Sequence, residues 1–153
     1  MKTAIFPGSF DPITNGHLDV ILKGLKIFDK IYISIGANSK KQSLFSLDQR
    51  KNWLAEIFKD EKRVEILSYS GLTVSFANSI GSQFVLRGLR NGGDFEYEQS
   101  IAYANKELES NIETVFLLSS PAYSNISSTI VREIIINDGD YSKFVPKEVR
   151  IVK

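Results

Sequence analysis

The chain has no cysteine and only one histidine among its 153 residues. The absence of cysteine excludes disulfide bonds, thiolate zinc sites and a cysteine nucleophile. A single histidine excludes a histidine-rich metal site, although carboxylates and the phosphate groups of a ligand can still hold Mg²⁺. Any chemistry carried out by this chain must therefore proceed without a thiol and with at most one imidazole.

The chain also lacks an excess of charge of either sign. It has 19 basic and 18 acidic residues, which gives a formal net charge of +1. Broad binding to nucleic acid or to a membrane surface needs a clear basic excess, so neither a nucleic-acid-binding module nor a membrane-binding protein is expected. Because the sequence shows no signal-like apolar stretch and no run long enough to cross a bilayer, we expect a cytoplasmic protein.

Segments with strand character alternate with amphipathic helical segments through the chain. The predicted strands are Lys2–Phe6, Lys30–Gly36, Val64–Leu67, Gln83–Leu86 and Thr114–Leu118. The predicted helices are Gly16–Phe28, Ser46–Phe58, Leu72–Ile80, Asp94–Leu108 and Ser127–Ile136. This alternation predicts one doubly wound, Rossmann-like α/β domain over residues 1–153, with a five-stranded parallel sheet. Its ligand should lie at the carboxyl ends of the strands, near the switch in strand order.

The single histidine ends the loop between the first predicted strand and the first helix, Pro7–His17 (Pro-Gly-Ser-Phe-Asp-Pro-Ile-Thr-Asn-Gly-His). Glycine-bearing loops at this place bind phosphates, because free backbone N–H groups and the positive end of the helix dipole point at the ligand. The alternative is a tight loop whose glycines serve turns and whose histidine is an ordinary polar residue. Neither the Gly-x-Gly-x-x-Gly pattern nor the Walker pattern is present, which disfavours a dinucleotide dehydrogenase and a P-loop kinase.

A second polar segment, Arg87–Glu98, follows the fourth predicted strand. Arg87 and Arg90 flank a glycine, and two arginines so placed suit bidentate contacts with phosphate. The alternative is a solvated charged loop in which Asp94 is a plain N-cap of the next helix.

Two shorter segments follow other predicted strands and belong on the same edge of the sheet. Ser127–Thr129 opens the last predicted helix, where three hydroxyl groups are either caps or part of a second anion site. Lys40 and Lys41 follow the second strand, and by themselves they would be solvated surface lysines.

With these segments in order, the chain resembles the bacterial phosphopantetheine adenylyltransferases. That family belongs to the nucleotidyltransferases with a (His/Thr)-x-Gly-His sequence, which reads Thr14-Asn15-Gly16-His17 here. Arg87–Glu98 and Ile126–Thr129 are similar to the same family, and the first of these is the more specific to it.

The resemblance implies transfer of AMP from ATP to 4′-phosphopantetheine, which gives dephospho-CoA and pyrophosphate in coenzyme A synthesis. It further implies Mg²⁺ bound with ATP, feedback binding of coenzyme A and a homohexamer. Sister nucleotidyltransferases acting on nicotinate mononucleotide or glycerol phosphate remain alternatives, as does a non-catalytic nucleotide sensor.

The resemblance also implies roles for individual residues. Catalytic roles fall on His17, Lys41 and Arg90, and substrate contacts fall on Ser9, Lys41, Thr73 and Arg87. The implied ATP contacts are Ser9, Phe10, His17, Gly88, Leu89, Arg90, Glu98, Tyr123, Ser124, Asn125, Ile126, Ser127, Ser128 and Thr129. No metal ligand is implied among the side chains. Because the nucleophile is a phosphate with a second pKa of about 6, it is largely ionised at neutral pH and needs no general base.

Overall fold

The computed structural model describes residues 1–37 and 42–151, and within them strands and helices alternate. The strands are β1 (Thr3–Gly8), β2 (Lys30–Gly36), β3 (Val64–Tyr69), β4 (Phe84–Leu89) and β5 (Glu113–Leu118). The helices are α1 (Asn15–Gly24), α2 (Leu47–Ile57), α3 (Thr73–Ser79), α4 (Gly92–Leu108) and α5 (Ser128–Ile136), and a 3₁₀ turn at Pro121–Tyr123 precedes α5. In the described residues no helix has the length and apolarity that crossing a membrane requires.

The five strands form one parallel sheet in the order β3-β2-β1-β4-β5. This order confirms the predicted doubly wound α/β fold. The direction of winding reverses between β1 and β4, which is where such sheets bind ligands. The pairing of β1 with β2 runs from Thr3 to Gly8, whereas the described pairing of β1 with β4 covers Ala4 and Ile5. The carboxyl halves of β1 and β4 therefore diverge and leave a crevice.

Both faces of the sheet are buried under helices. Successive residues of a strand point to opposite faces. Ala4 and Phe6 accordingly belong to a core that includes residues of α1, α2 and α5, while Ile5 belongs to a second core with residues of α3. This double burial explains why the first strand is apolar without alternation.

Helix α1 is seated very close to β4. A Cβ atom on Gly88 would lie 2.8 Å from Cγ2 of Val20, a distance that real Cβ atoms do not reach. Glycine at position 88 therefore permits the close approach of the helix that carries His17 to the strand that carries Arg87.

Several strands extend further toward the crevice than their sequence predicts. Strand β4 continues through Arg87, Gly88 and Leu89 instead of ending at Leu86, because these residues pair with Phe116, Leu117 and Leu118 of β5. Hydrogen bonding to a neighbouring strand thus overrides the low strand preference of glycine.

The C-terminal segment returns to the start of α1. The chain turns directly after α5, with the N–H of Gly139 donating to the carbonyl of Ile134 at 2.8 Å. Val145 and Val149 are buried in the core, and the carbonyl of Phe144 accepts from the N–H of Asn15 at 2.9 Å. This segment therefore supports the first turn of α1 from outside.

Candidate active site

A cavity of about 300 Å³ opens at the crevice between β1 and β4. Such a volume lies at the lower end of the range of small-molecule sites. Its lining comes from the loop after β1, the first turns of α1, the end of β4, the start of α4 and the start of α5. The lining residues are Phe6, Pro7, Gly8, Ser9, Phe10, Thr14, Gly16, His17, Val20, Arg87, Gly88, Arg90, Asp94, Glu98, Ser119, Ile126, Ser127, Ser128, Thr129 and Arg132.

The half-buried ring of His17 is fixed by the residue that caps its own helix. The N–H of Thr14 donates to Nδ1 of His17 at 3.0 Å, and the Thr14 hydroxyl accepts from the N–H of His17 at 3.3 Å. Because a backbone N–H can only donate, Nδ1 is an acceptor, and the neutral ring carries its proton on Nε2. The rings of Phe6 and Phe10 form T-shaped contacts with the imidazole, with centroids 6.3 Å and 5.1 Å away.

His17 is electrically neutral at physiological pH. Burial and the nearby positive charges of Arg87 and Arg90 lower the pKa of His17 from 6.5 to about 4. The imidazole therefore acts as a hydrogen-bond donor through Nε2–H and not as a permanent cation.

This state of His17 can be measured directly, because the chain has no other histidine. In the ligand-free protein we expect the imidazole NMR signals to stay constant from about pH 8 to about pH 5.5, and to shift only as the pH approaches 4. Since the lowered pKa disfavours the cation, the folded protein takes up this proton at lower pH than the urea-unfolded chain does. A folded-state midpoint near 6.5 would contradict the assigned environment.

The loop after β1 is tightly folded beneath this ring. Phe10 has a φ of 48°, in the left-handed region, which is uncommon for an aromatic residue. A Cβ on Gly8 would lie 3.1 Å from the Phe10 ring, so glycine leaves room for that ring. The strained backbone at Phe10 lies directly beside the cavity, as strained residues at functional sites often do.

Arg87 and Glu98 form a wall between this cavity and a second one. Nε and Nη2 of Arg87 donate to the two carboxylate oxygens of Glu98 at 2.9 Å and 2.5 Å. Nη1 of Arg87 donates to the carbonyl of Pro7 at 2.8 Å, across the gap where β1 and β4 diverge. Both side chains line both cavities.

The second cavity has a volume of about 190 Å³ and lies under α4. Besides the wall, it is lined by Pro7, Gly8, Tyr69, Thr73, Val85, Ile101, Ala102, Asn105 and Thr114. The hydroxyl groups of Tyr69 and Thr73 are hydrogen-bonded at 2.8 Å. The second cavity is therefore more apolar than the first, with a few neutral polar groups.

Arg90 links the start of α4 to the segment that precedes α5. Its Nε and Nη2 donate to the carboxylate of Asp94 at 2.9 Å and 3.1 Å, and Nη1 donates to the carbonyl of Ile126 at 3.3 Å. Hydrogen bonds from Arg90 hold the pKa of Asp94 below its ordinary value. The interpretation of Asp94 as the N-cap is wrong, because Asn91 accepts from the N–H of Asp94 and caps the helix. The carboxylate of Asp94 does not cap the helix and instead forms an ion pair with Arg90.

The start of α5 presents three hydroxyl groups with different partners. Ser127 caps the helix by accepting from the N–H of Ile130 at 3.2 Å, and Ser128 donates to the carbonyl of Pro12 at 2.8 Å. Thr129 accepts from Arg132 at 3.1 Å. The first N–H groups of a helix have no intrahelical partner, so this end of α5 is suited to an anion.

Arg132 is a third arginine in the cavity, and the sequence reasoning did not assign it a role. Its Nη1 donates to the carbonyl of Asp11 at 2.9 Å and lies 3.9 Å from the carboxylate of that residue. The buried carboxylate of Asp11 also accepts from the N–H groups of Leu44 and Phe45, at 2.8 Å and 2.9 Å. Asp11 therefore ties the loop after β1 to the segment before α2 and to α5.

Most of the sequence-predicted site residues come together in the larger cavity. These are Ser9, Phe10, His17, Arg87, Gly88, Arg90, Glu98, Ile126, Ser127, Ser128 and Thr129. Thr73 lines the smaller cavity. Four described residues predicted to contact ATP lie outside the lining of the larger cavity, namely Leu89, Tyr123, Ser124 and Asn125. Lys40 and Lys41 lie outside the described residues, so the catalytic role of Lys41 stays a prediction.

No cluster of three or more metal-binding side chains is found within the described residues. The carboxylates nearest the arginines, Asp94 and Glu98, are both engaged in ion pairs.

Comparison with known proteins gives a consistent result over the whole chain. The model of the cytidylyltransferase-like family matches residues 5–134. A phosphopantetheine adenylyltransferase from Flavobacterium psychrophilum is 52% identical over 151 residues, which covers 99% of each chain. One from Flavobacterium johnsoniae is 51% identical over 100% of each chain. A solved structure, a putative nicotinate-nucleotide adenylyltransferase from Vibrio parahaemolyticus, has a TM-score of 0.67 at 20% identity, with 97% of this chain and 96% of that chain covered. The structural likeness supports the fold.

Proposed function

Because this chain belongs to the phosphopantetheine adenylyltransferase family within the cytidylyltransferase-like proteins, we propose a division of the family's reaction between its two cavities. The enzyme transfers AMP from ATP to the phosphate of 4′-phosphopantetheine, which gives dephospho-CoA and pyrophosphate in coenzyme A biosynthesis. We assign ATP to the larger cavity and the pantetheine arm to the smaller one. The observation that carries this assignment is the Arg87–Glu98 wall, which is shared by the two cavities.

The charges and helix ends of the larger cavity support its assignment to ATP. Three arginines, Arg87, Arg90 and Arg132, line it, and the first turns of α1 and α5 open into it. Guanidinium groups and free N–H groups at helix ends are the groups that bind phosphate chains in proteins. Lys41 is proposed to add a further positive charge from the segment between β2 and α2.

The lining of the smaller cavity supports its assignment to the pantetheine arm, which carries amide groups and methyl groups. Val85, Ile101 and Ala102 supply apolar surface, while Thr73 and Asn105 supply hydrogen-bonding groups. A chain of alternating amides and methylenes suits such a mixture better than it suits the arginine-rich cavity.

The proposed chemistry needs positioning and charge stabilisation but no general base. An oxygen of the phosphopantetheine phosphate forms a bond to the α-phosphorus of ATP, and the bond from that phosphorus to the bridging oxygen of pyrophosphate breaks. Negative charge builds on the oxygens of the α-phosphate during this exchange. The Nε2–H of His17 donates to one of those oxygens, and Arg90 and Lys41 oppose the charge of the phosphate chain.

Mg²⁺ is proposed to enter with ATP. The phosphate oxygens would supply most of its ligands, because the described side chains form no metal cluster of their own. When bound, the cation neutralises charge on the phosphate chain.

The proposed function is tested by pyrophosphate release from ATP and Mg²⁺ with each acceptor offered separately. We expect release with 4′-phosphopantetheine and none above background with nicotinate mononucleotide or without an acceptor. Release with nicotinate mononucleotide instead would indicate a sister nucleotidyltransferase. ATP binding with no release under any condition would indicate a nucleotide sensor.

The assembly and regulation of the enzyme are further parts of this proposal. Exposed apolar side chains on α4 and on the edge strand β5 supply surface for a homo-oligomer, which we propose to be a hexamer. These side chains are Tyr97, Tyr103 and Leu108 on α4 and Leu118 on β5.

Coenzyme A carries both an adenine nucleotide and a pantetheine arm, so it suits both cavities as a feedback ligand. We place the reaction in the cytoplasm, where its substrate ATP is supplied.

A further inference from the structure

The carboxylate of Asp19 joins α1 to the loop that follows β5. Its Oδ2 accepts a hydrogen bond from the backbone N–H of Ser120 at 2.8 Å, and its Oδ1 accepts from the Ser120 hydroxyl at 3.0 Å. Lys23, one turn further along α1, forms an ion pair with Asp19 at 3.1 Å and donates to the carbonyl of Leu118 at 2.7 Å. Lys23 and Asp19 of α1 thus bind the backbone at Leu118 and Ser120, on either side of the first residue after β5.

The segment held in this way leads directly into the ATP cavity. Ser119, which lies between Leu118 and Ser120, lines the larger cavity, and its N–H donates to the carbonyl of Leu89 at 2.8 Å. We call residues Ser119–Thr129 the nucleotide loop, because this segment contributes Ser119 and Ile126–Thr129 to the cavity wall.

Asp19 acts from outside the cavity. It follows His17 by two residues, and side chains at that spacing do not share a helix face. Its side chain is 16% exposed. Burial alone would raise the pKa of Asp19, but the hydrogen bonds from Ser120 and Lys23 outweigh burial, so that the pKa lies below its ordinary value. An ionised, largely buried carboxylate that accepts three hydrogen bonds fixes its partners firmly.

We propose that Asp19 is a positioning residue that holds the nucleotide loop against the helix carrying His17 and thereby sets the affinity for ATP. The proposal rests on the assignment of ATP to the larger cavity. Asp19 does not touch the reacting atoms, so its removal alters the binding of one substrate and not the chemical step.

The test compares Asp19→Ala, Asp19→Asn and Ser120→Ala with the native chain. Asparagine can accept from the Ser120 N–H and donate to its hydroxyl, so it keeps both contacts without the charge. Ser120→Ala removes the hydroxyl contact alone. Asp60→Ala, a change to an exposed carboxylate in the turn after α2, is the matched control. Calorimetric titration with ATP, without an acceptor, gives Kd, and steady-state rates give kcat and both KM values.

We expect Asp19→Ala to raise Kd and KM for ATP by about tenfold, with kcat and the KM for 4′-phosphopantetheine changed by less than about twofold. Asp19→Asn is expected to recover most of the ATP affinity, and Ser120→Ala to lose about threefold. If Asp19→Ala does not fold, the other two variants decide, because an effect on ATP in Ser120→Ala that is absent in Asp60→Ala supports the proposal.

The proposal is overturned by unchanged ATP affinity in both Asp19→Ala and Ser120→Ala, by equal weakening of both substrates, or by a fall in kcat at unchanged KM for ATP. The titration with ATP also separates this proposal from the assignment of the acceptor. A native chain that binds ATP but rejects 4′-phosphopantetheine would contradict the proposed function, while the ATP affinities of the variants would still decide the role of Asp19.

Discussion

Replacement of His17 with alanine is expected to lower kcat by about 10²- to 10³-fold, the range found when one hydrogen-bond donor to a transition-state oxyanion is removed. The reason lies in the two ring nitrogens. Nδ1 is occupied by the N–H of Thr14, so Nε2–H is the donor that the ring can offer to the α-phosphate. Steady-state pyrophosphate release from ATP and 4′-phosphopantetheine measures the effect, and a near-normal kcat would contradict the role.

A matched pair of variants separates the catalytic donor from the structural acceptor. His17→Asn keeps an acceptor near the position of Nδ1 but offers no donor at the position of Nε2, whereas His17→Gln offers an amide N–H there. We expect His17→Asn to be as slow as His17→Ala, and His17→Gln to regain part of the rate. Equal rates in His17→Ala, His17→Asn and His17→Gln would contradict the role of Nε2–H as the catalytic hydrogen-bond donor.

Replacement of Arg87 with alanine is expected to have two large effects, one on stability and one on the acceptor substrate. Glu98, whose side chain is 9% exposed, would lose the guanidinium that binds both of its oxygens. Removing one partner of a buried pair is costly, and because Arg87 is partly exposed we expect a loss of about 2 kcal/mol in the free energy of unfolding. We also expect the KM for 4′-phosphopantetheine to rise more than the KM for ATP, since Arg90 and Arg132 remain on the ATP side.

A double variant distinguishes the two effects of Arg87. Arg87→Met combined with Glu98→Leu removes both charges and keeps apolar volume, so it should regain most of the stability lost by Arg87→Ala. Binding of 4′-phosphopantetheine should stay weak in this double variant. Denaturant unfolding and the two KM values measure the outcomes. An equal rise in both KM values would overturn the division of the substrates between the two cavities.

The centre of the site could be predicted from the sequence because the residues that mark it belong to short, continuous segments. A strand, a glycine-bearing loop and the first turn of a helix are consecutive between Thr3 and His17, and the segment from Arg87 follows another strand. The parallel sheet could likewise be predicted, since each strand and helix has its own periodicity. In each of these cases, the residues that form the pattern lie close to one another along the chain.

Other features depend on contacts that local patterns do not reveal. The extension of β4 to Leu89 depends on pairing with β5, and the contact between Asp19 and Ser120 spans 101 residues. Asn91, and not Asp94, caps α4, and the sequence alone does not decide between them because both residue types are good caps and they lie only three positions apart. Arg132 carried no local signal, because its contact with Asp11 joins residues that lie 121 positions apart.

Each arginine in the ATP cavity has its own carboxylate: Glu98 for Arg87, Asp94 for Arg90 and, at a longer distance, Asp11 for Arg132. Among the described residues, the charges of these arginines and carboxylates consequently nearly cancel, apart from the positive charge proposed for Lys41. The three arginines therefore act on ATP mainly through contacts formed at short range. The guanidinium groups are also already oriented before ATP arrives, which reduces the entropy lost when the nucleotide binds.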